Sequence, residues 1–313
     1  MSFQEQERLL FDLLFDDELR QLFTDNSEQA LSHYHLTDQE KNDFSHVRVD
    51  ALAMDVAMRK RLILANMSNM LPLSFSLVSS LKAGLTLLSD LINTALMKTA
   101  PHQRVSAYAK SLQEHVALLA VSEFFHSEQE KQALLAILSA ELGMAASAAK
   151  VKQALLNNQY RDAAVVYYEE DDDSWLEGTV QWAEFVYYQT INLPYMALKK
   201  KLCPVTGTAL WQHLNANPLP AFLREETLEQ QDPRVVVSKA CITYKSELDP
   251  VVDHATVELS IGFAPMFNYI DGSLSIAALL RHLSEAGAPE SLILSVRSGF
   301  YQLLQCGMLT VAR

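Results

Sequence analysis

The chain has 313 residues and a formal net charge of −13, with 25 Lys and Arg against 38 Asp and Glu. That length suits two domains, each with its own core, and the acidic balance argues against a surface that tracks nucleic-acid phosphates. Three cysteines without CxxC spacing form no disulfide framework, which points to a reducing cytoplasm, and the charged opening MSFQEQERLL does not read as a signal peptide.

Nine glycines in the whole chain, with abundant Leu, Ala, Glu and Gln, predict helix over most of its length. Leu9, Leu10, Leu13 and Leu14, then Leu19, Leu22 and Phe23, recur at helical spacing. In LTDQE, Thr37 and Glu40 stand in capping-box register. The uncharged run from Leu62 to Leu81 matches a membrane span in length. Its Asn66, Asn69, Pro72 and several serines favour a buried helix pair instead, so no membrane partner is expected. Pro72 and Pro101 cut the following stretch, and an Ala/Leu-rich helix pair runs from about Val105 to Asn157. Residues 1–160 read as an all-α bundle with short connections.

Residues 161–233 read as an irregular aromatic and acidic connecting region. YYEEDDDSW (167–175) sets five consecutive carboxylates between aromatic residues. Hard cations take clustered carboxylates, but the run lacks the alternate spacing and the glycine of a calcium loop, and a solvated, self-repelling loop is the reading. The aromatic stretch after it is compatible with strand or helix and with core or interface. Trp175, Trp182, Tyr187 and Tyr188 are its candidate partner-interface residues. NANPLPAFLREETLEQQDPR (215–234) reads as a linker.

Residues 234–313 read as a small winged-helix-like module. Two β-rich runs, RVVVSKACITYK (234–245) and ATVELSIG (255–262), precede a short helix at Pro265, a turn at Asp271-Gly272, a helix from Ser273 to about Glu285 and another from Pro289 to Cys306. Gly307 stands where a left-handed cap belongs. Such modules bind DNA or peptides. Here six cations face seven carboxylates, which leaves no positive excess for DNA.

Catalytic signatures are missing: there is no GxGxxG, Walker loop, HExxH or GxSxG. Glu123 and His126 have the i, i+3 spacing of di-iron bundle motifs but no clean second copy. Cys203, Cys241 and Cys306 have no neighbouring base in sequence and read as small apolar residues. No catalytic residue and no metal ligand is expected in this chain.

Two stretches carry a resemblance. MFNYIDGSLSIAALLRHL followed by VRSGFYQLLQCGMLTV resembles the PqqD-like RiPP recognition element, a module that binds the leader of a ribosomal precursor peptide. LLFDDELRQLFTDNSEQALSHYHLTDQE, NMLPLSFSLVSSLKAGLTLLSDLI, LQEHVALLAVSEFF and LCPVTGTALWQHLN resemble the MbnC-type partner proteins of DUF692 multinuclear iron oxidases, known from methanobactin biosynthesis. The resemblance implies a mainly α protein, a helical bundle followed by a small α+β winged-helix-like domain. It implies a non-catalytic subunit that holds the leader and forms a heterodimer with an iron oxidase acting on a peptide cysteine to give an oxazolone and a thioamide. The iron would sit in the partner.

On that reading the peptide adds to the strand Thr256–Ile261, with Val257, Leu259 and Ile261 on one face, Glu258 and Ser260 between them, and Ser295, Gly299 and Tyr301 lining the groove. The opposing expectation is that Val257, Leu259 and Ile261 all face the core and that Val251-Val252 blocks the edge. Two further functions remain open: a winged-helix regulator with a helical sensor domain, and an enzyme that uses Glu123 and His126 as metal ligands.

Overall fold

The computed structural model describes residues 3–161, 173–246 and 249–312. Helices dominate, and two three-stranded antiparallel sheets complete the fold. The leucine stripe near the start is helical as its spacing demands, with Leu9, Leu13 and Leu14 buried on the helix Phe3–Phe15 and Phe23 on Asp17–Asp25, Leu19 and Leu22 partly buried, and Leu10 exposed. Thr37 and Glu40 form the expected capping box at the helix Asp38–Ser45.

The uncharged run 62–81 is the end of one helix, Val49–Met70, and the whole of another, Pro72–Ser79, bent by 116°. Pro72 sits in the first turn of the second helix, where its missing N–H costs nothing. The next two N–H groups, of Leu73 and Ser74, donate at 3.0 and 2.9 Å to the Glu141 carboxylate. Glu141 belongs to the helix Glu128–Leu156, the axis of the body. That helix is the one described helix with the length and composition of a membrane span, and 61% of its most apolar stretch is buried inside the protein.

Residues 173–233 are more regular than their sequence suggests. They supply strands β1 (Thr179–Trp182) and β2 (Val186–Ile191) and the helices Tyr195–Leu202, Ala209–Ala216 and Ala221–Leu228. The stretch 215–234 is therefore no free linker. Its charge pattern looks solvated, but Arg224 turns inward and is buried in an ion pair with Glu130, with further bonds to Ser80 O at 2.9 Å and Ser80 Oγ at 3.1 Å. Of the acidic run, only Asp173 lies among the described residues; it accepts a 2.5 Å bond from Arg297.

Strands β3 (Arg234–Ser246) and β4 (Asp249–Ser260) form a long hairpin that pairs with β2 in the order β2-β3-β4. The continuous apolar run Val235-Val236-Val237 has a physical cause: both faces of β3 are covered. Val236 packs into the helical body, whereas Val235 and Val237 pack under the C-terminal unit. This sheet is the layer between the two.

The C-terminal unit contains a 3-10 helix (Ile261–Tyr269), β5 (Asp271–Ser275), the helices Ile276–Glu285 and Glu290–Gln305, and β6 (Leu309–Ala312). Asp271–Ser275 is a strand and not the start of a helix; the Ser275 side chain caps the helix that follows, accepting from Ala278 N at 3.2 Å. Gly307 adopts φ 62, the left-handed cap its position called for. Sheet β5-β1-β6 has β1 as its central strand, antiparallel to both neighbours. Its partner strand thus comes from the segment before the hairpin.

Candidate peptide-binding edge

Strand β4 pairs with β3 alone, and no strand among the described residues occupies its other side. The direction of its backbone groups follows from one bond. Ala240 N donates to Phe185 O at 3.2 Å, so Ala240 faces β2. Its register partner His254 must then belong to a pair that makes no ladder bond to β3. By alternation, the N–H and C=O of Val252, His254, Thr256, Glu258 and Ser260 point outward. The bond from His254 N to Asp253 Oδ1 at 2.7 Å agrees, since that donor finds only a side chain. Residues Ala255 to Glu258 are half-buried, as an edge that reaches solvent should be.

The two faces of β4 differ. Val257 and Leu259 pack into the C-terminal core. Glu258 faces the body, where its carboxylate accepts a 2.8 Å bond from Met196 N and lies 3.8 Å from Arg234. Ser260 Oγ is 3.0 Å from Ser295 Oγ on the helix Glu290–Gln305, which brings that helix to the end of the strand. Ile261 is a correction: it begins the 3-10 helix, leaves the face of Val257 and Leu259, and is 43% exposed. The Val251-Val252 run is the start of β4 itself, so it does not block the edge.

The groove wall also differs from expectation. Ser295 is exposed and beside the edge, but Gly299 is buried. A Cβ there would stand 2.7 Å from the Phe263 ring and 3.5 Å from Leu259, so Gly299 lets the helix close onto the sheet. Tyr301 turns the other way, with its ring 5.8 Å from Trp175. Val296, Phe300 and Leu303 fill the core between them, as their spacing requires.

The aromatic candidates separate likewise. Trp175 is 1% exposed, a core residue and not part of a surface, with Arg297 5.9 Å over its ring. Tyr187 reaches into the body and packs against Gly143, its hydroxyl 3.3 Å from Ser139 O. Trp182 stacks on Tyr188 at 4.8 Å and meets Phe267 at 5.6 Å, and of the four only Tyr188 is exposed, at 40%. Sequence could not separate them, because strand alternation assigns inside and outside only once the covering elements are known.

On its body side β4 carries His254. Its Nδ1 is 3.3 Å from Ser238 Oγ, and its Nε2 is buried without a partner. Burial pushes its pKa down to about 4. Sequence reading gave His254 no role, since a lone His in a strand carries no signal of its own.

No three His, Cys, Asp or Glu side chains converge among the described residues. Glu123 pairs with Lys82 at 2.8 Å and His126 with Glu225, so the two side chains serve separate surface ion pairs. Burial pushes the Cys203 thiol up to about 11, opposed in part by its contact with Ser76 Oγ, and a raised thiol pKa disfavours nucleophilic use. The chain matches no known family model, no curated protein and no solved structure.

Proposed function

We propose that this chain is a peptide-recognition subunit whose β4 edge captures an extended segment by strand addition. The observation that carries the reading is the outward row of backbone groups at residues 252–260, bounded by the helix Glu290–Gln305 on one face and by Met196 on the other. The β3-β4 hairpin, flanked by β2 and followed by three helical segments, is in keeping with the resemblance to a leader-binding element, although three helices separate β2 from β3 in the chain. The captured segment is then the leader of a ribosomal precursor peptide. The role that follows is that of an MbnC-type partner docked on a multinuclear iron oxidase, which would supply the iron and the cysteine oxidation.

The C-terminal unit is winged-helix-like on this reading, with β1 standing in as the middle strand of its sheet. The DNA-binding alternative is the weaker one. Arg297, a cation on the last long helix, is already held by Asp173 and lies over Trp175.

The test is proline substitution at outward positions. Ser260 has φ −63, already the angle proline imposes, and its N–H points away from β3, so Ser260→Pro removes an edge donor without breaking the hairpin. Glu258→Pro removes the next outward donor, together with the carboxylate that accepts from Met196 N. Both variants are expected to fold and to lose binding of the precursor peptide, and to keep co-eluting with the iron oxidase in size-exclusion chromatography. Leader binding that survives both substitutions would overturn strand capture at β4. Separate elution of the wild-type pair at micromolar concentration would overturn the partnership.

A further inference from the structure

The helical body holds a cavity of about 670 Å³ to which the β4 edge contributes no residue, so it stands independently of strand capture. Its walls come mainly from the helices Asp17–Asp25, Val49–Met70 and Ala209–Ala216. Three cations line it, Arg20, Lys60 and Arg61, and no Asp or Glu among the described residues does, in a chain of net charge −13. Val56, Leu64 and Trp211 are buried and form an apolar floor. Gln212 and Asn215 are exposed and stand at the mouth.

The bonds that hold these cations in place leave donors over. Arg20 is fixed by Leu13 O, which accepts from Nη1 at 2.8 Å, and by an ion pair with Asp17. Lys60 donates to the same Asp17 at 3.3 and 3.4 Å, and its side chain is only 13% exposed. An ammonium has three N–H donors and a guanidinium five, so one carboxylate shared by two cations leaves several without a partner. Arg61 is exposed and makes no hydrogen bond or ion pair with the described residues. Burial lowers the pKa of Lys60, with Arg20 adding to the effect and Asp90 opposing it, as expected where like charges stand close together.

Cations gathered on one cavity wall attract an anion, and charge-assisted hydrogen bonds are the strong ones. The space is much larger than a lone ion fills and falls in the range of small-molecule sites, roughly 300–1,000 Å³. Trp211 supplies an aromatic surface on which a flat ring packs. We propose that this cavity binds a small organic anion, its phosphate or carboxylate group held by Lys60 and Arg61 in the field of Arg20, its flat apolar part packed against Trp211, Val56 and Leu64.

The probes are benzyl phosphate, phenylacetate, benzyl alcohol and inorganic phosphate, each titrated into the full chain at low salt by isothermal calorimetry. At least one of the two organic anions is expected to bind about tenfold or more tighter than both benzyl alcohol and inorganic phosphate. The tighter of the two identifies the anionic group. Its binding should weaken as salt is raised. Lys60→Gln/Arg61→Gln should weaken it about tenfold or more while the response to benzyl alcohol stays the same. Ala57→Glu, at an exposed position on the cavity wall, sets a carboxylate among the cations without entering the core and should abolish binding. Circular dichroism checks that each variant is folded, and Ala57→Glu decides the matter if the double variant is not. No binding of either organic anion at millimolar concentration overturns the site. So does an affinity that a folded variant leaves unchanged, or inorganic phosphate or benzyl alcohol binding as tightly as the organic anions.

Discussion

The Tyr195 hydroxyl donates to Glu141 Oε1 at 3.0 Å inside the helical body, and through this bond the helix beside the β4 edge is fastened to the core. Tyr195 opens the helix that carries Met196 and Lys199, while Glu141 also accepts the N–H groups of Leu73 and Ser74. One carboxylate thus holds three segments. Glu141→Ala leaves three buried donors unmatched and is expected to cost about 3–5 kcal/mol. Tyr195→Phe removes one bond and should cost about 1–2 kcal/mol. Urea denaturation monitored by circular dichroism gives both values; equal losses would show that the tyrosine bond is the whole effect.

The same carboxyl has a pH signature. Burial, opposed in part by its hydrogen bonds, raises the Glu141 pKa above the ordinary glutamate range. The folded state therefore binds this proton more tightly than the unfolded chain. The associated stability is fully present below the unfolded pKa and is lost as pH rises through the folded value. Glu141→Gln should remove that part of the slope in a plot of denaturation midpoint against pH. An unchanged slope would mean that the carboxyl titrates normally.

His254 titrates in the opposite sense. Its folded pKa, pushed down to about 4 by burial, lies below the unfolded value. Its contribution to stability is present above about 6.5 and is lost as pH falls toward about 4. In NMR spectra its ring signals should stay those of neutral imidazole from pH 7 to 5. A midpoint near the ordinary histidine value would show that the site is wetter than its packing indicates.

Arg224 and Glu130 are a buried pair, and breaking it from one side strands a charge. Arg224→Met is expected to cost about 3–5 kcal/mol, and Glu130→Met added to it should recover part of that loss. A double-mutant cycle in chemical denaturation measures the coupling, and strict additivity would rule it out.

Gly299 sets the distance between the last long helix and the sheet. Gly299→Ala places a methyl group 2.7 Å from the Phe263 ring and is expected to cost about 1–3 kcal/mol. Peptide binding should weaken with it, because Ser295 on the same helix borders the edge.

What the sequence determined by itself is local. The leucine spacing, the Thr37–Glu40 capping box, the break at Pro72 and the left-handed Gly307 follow from helix geometry and backbone sterics, and each is found where those rules put it. The common face of Val257 and Leu259 on β4 follows from a period of two, while Ile261 leaves it for the 3-10 helix. What only the tertiary structure decided is which face meets which layer. Val235-Val236-Val237 is apolar throughout because the sheet is covered twice, and Trp175 is core because the C-terminal unit closes over it. Arg224, charged in a charged stretch, is buried because Glu130 lies 94 residues away in sequence and next to it in space. Charge pairing depends on distance through space, and no local pattern of residues records that distance.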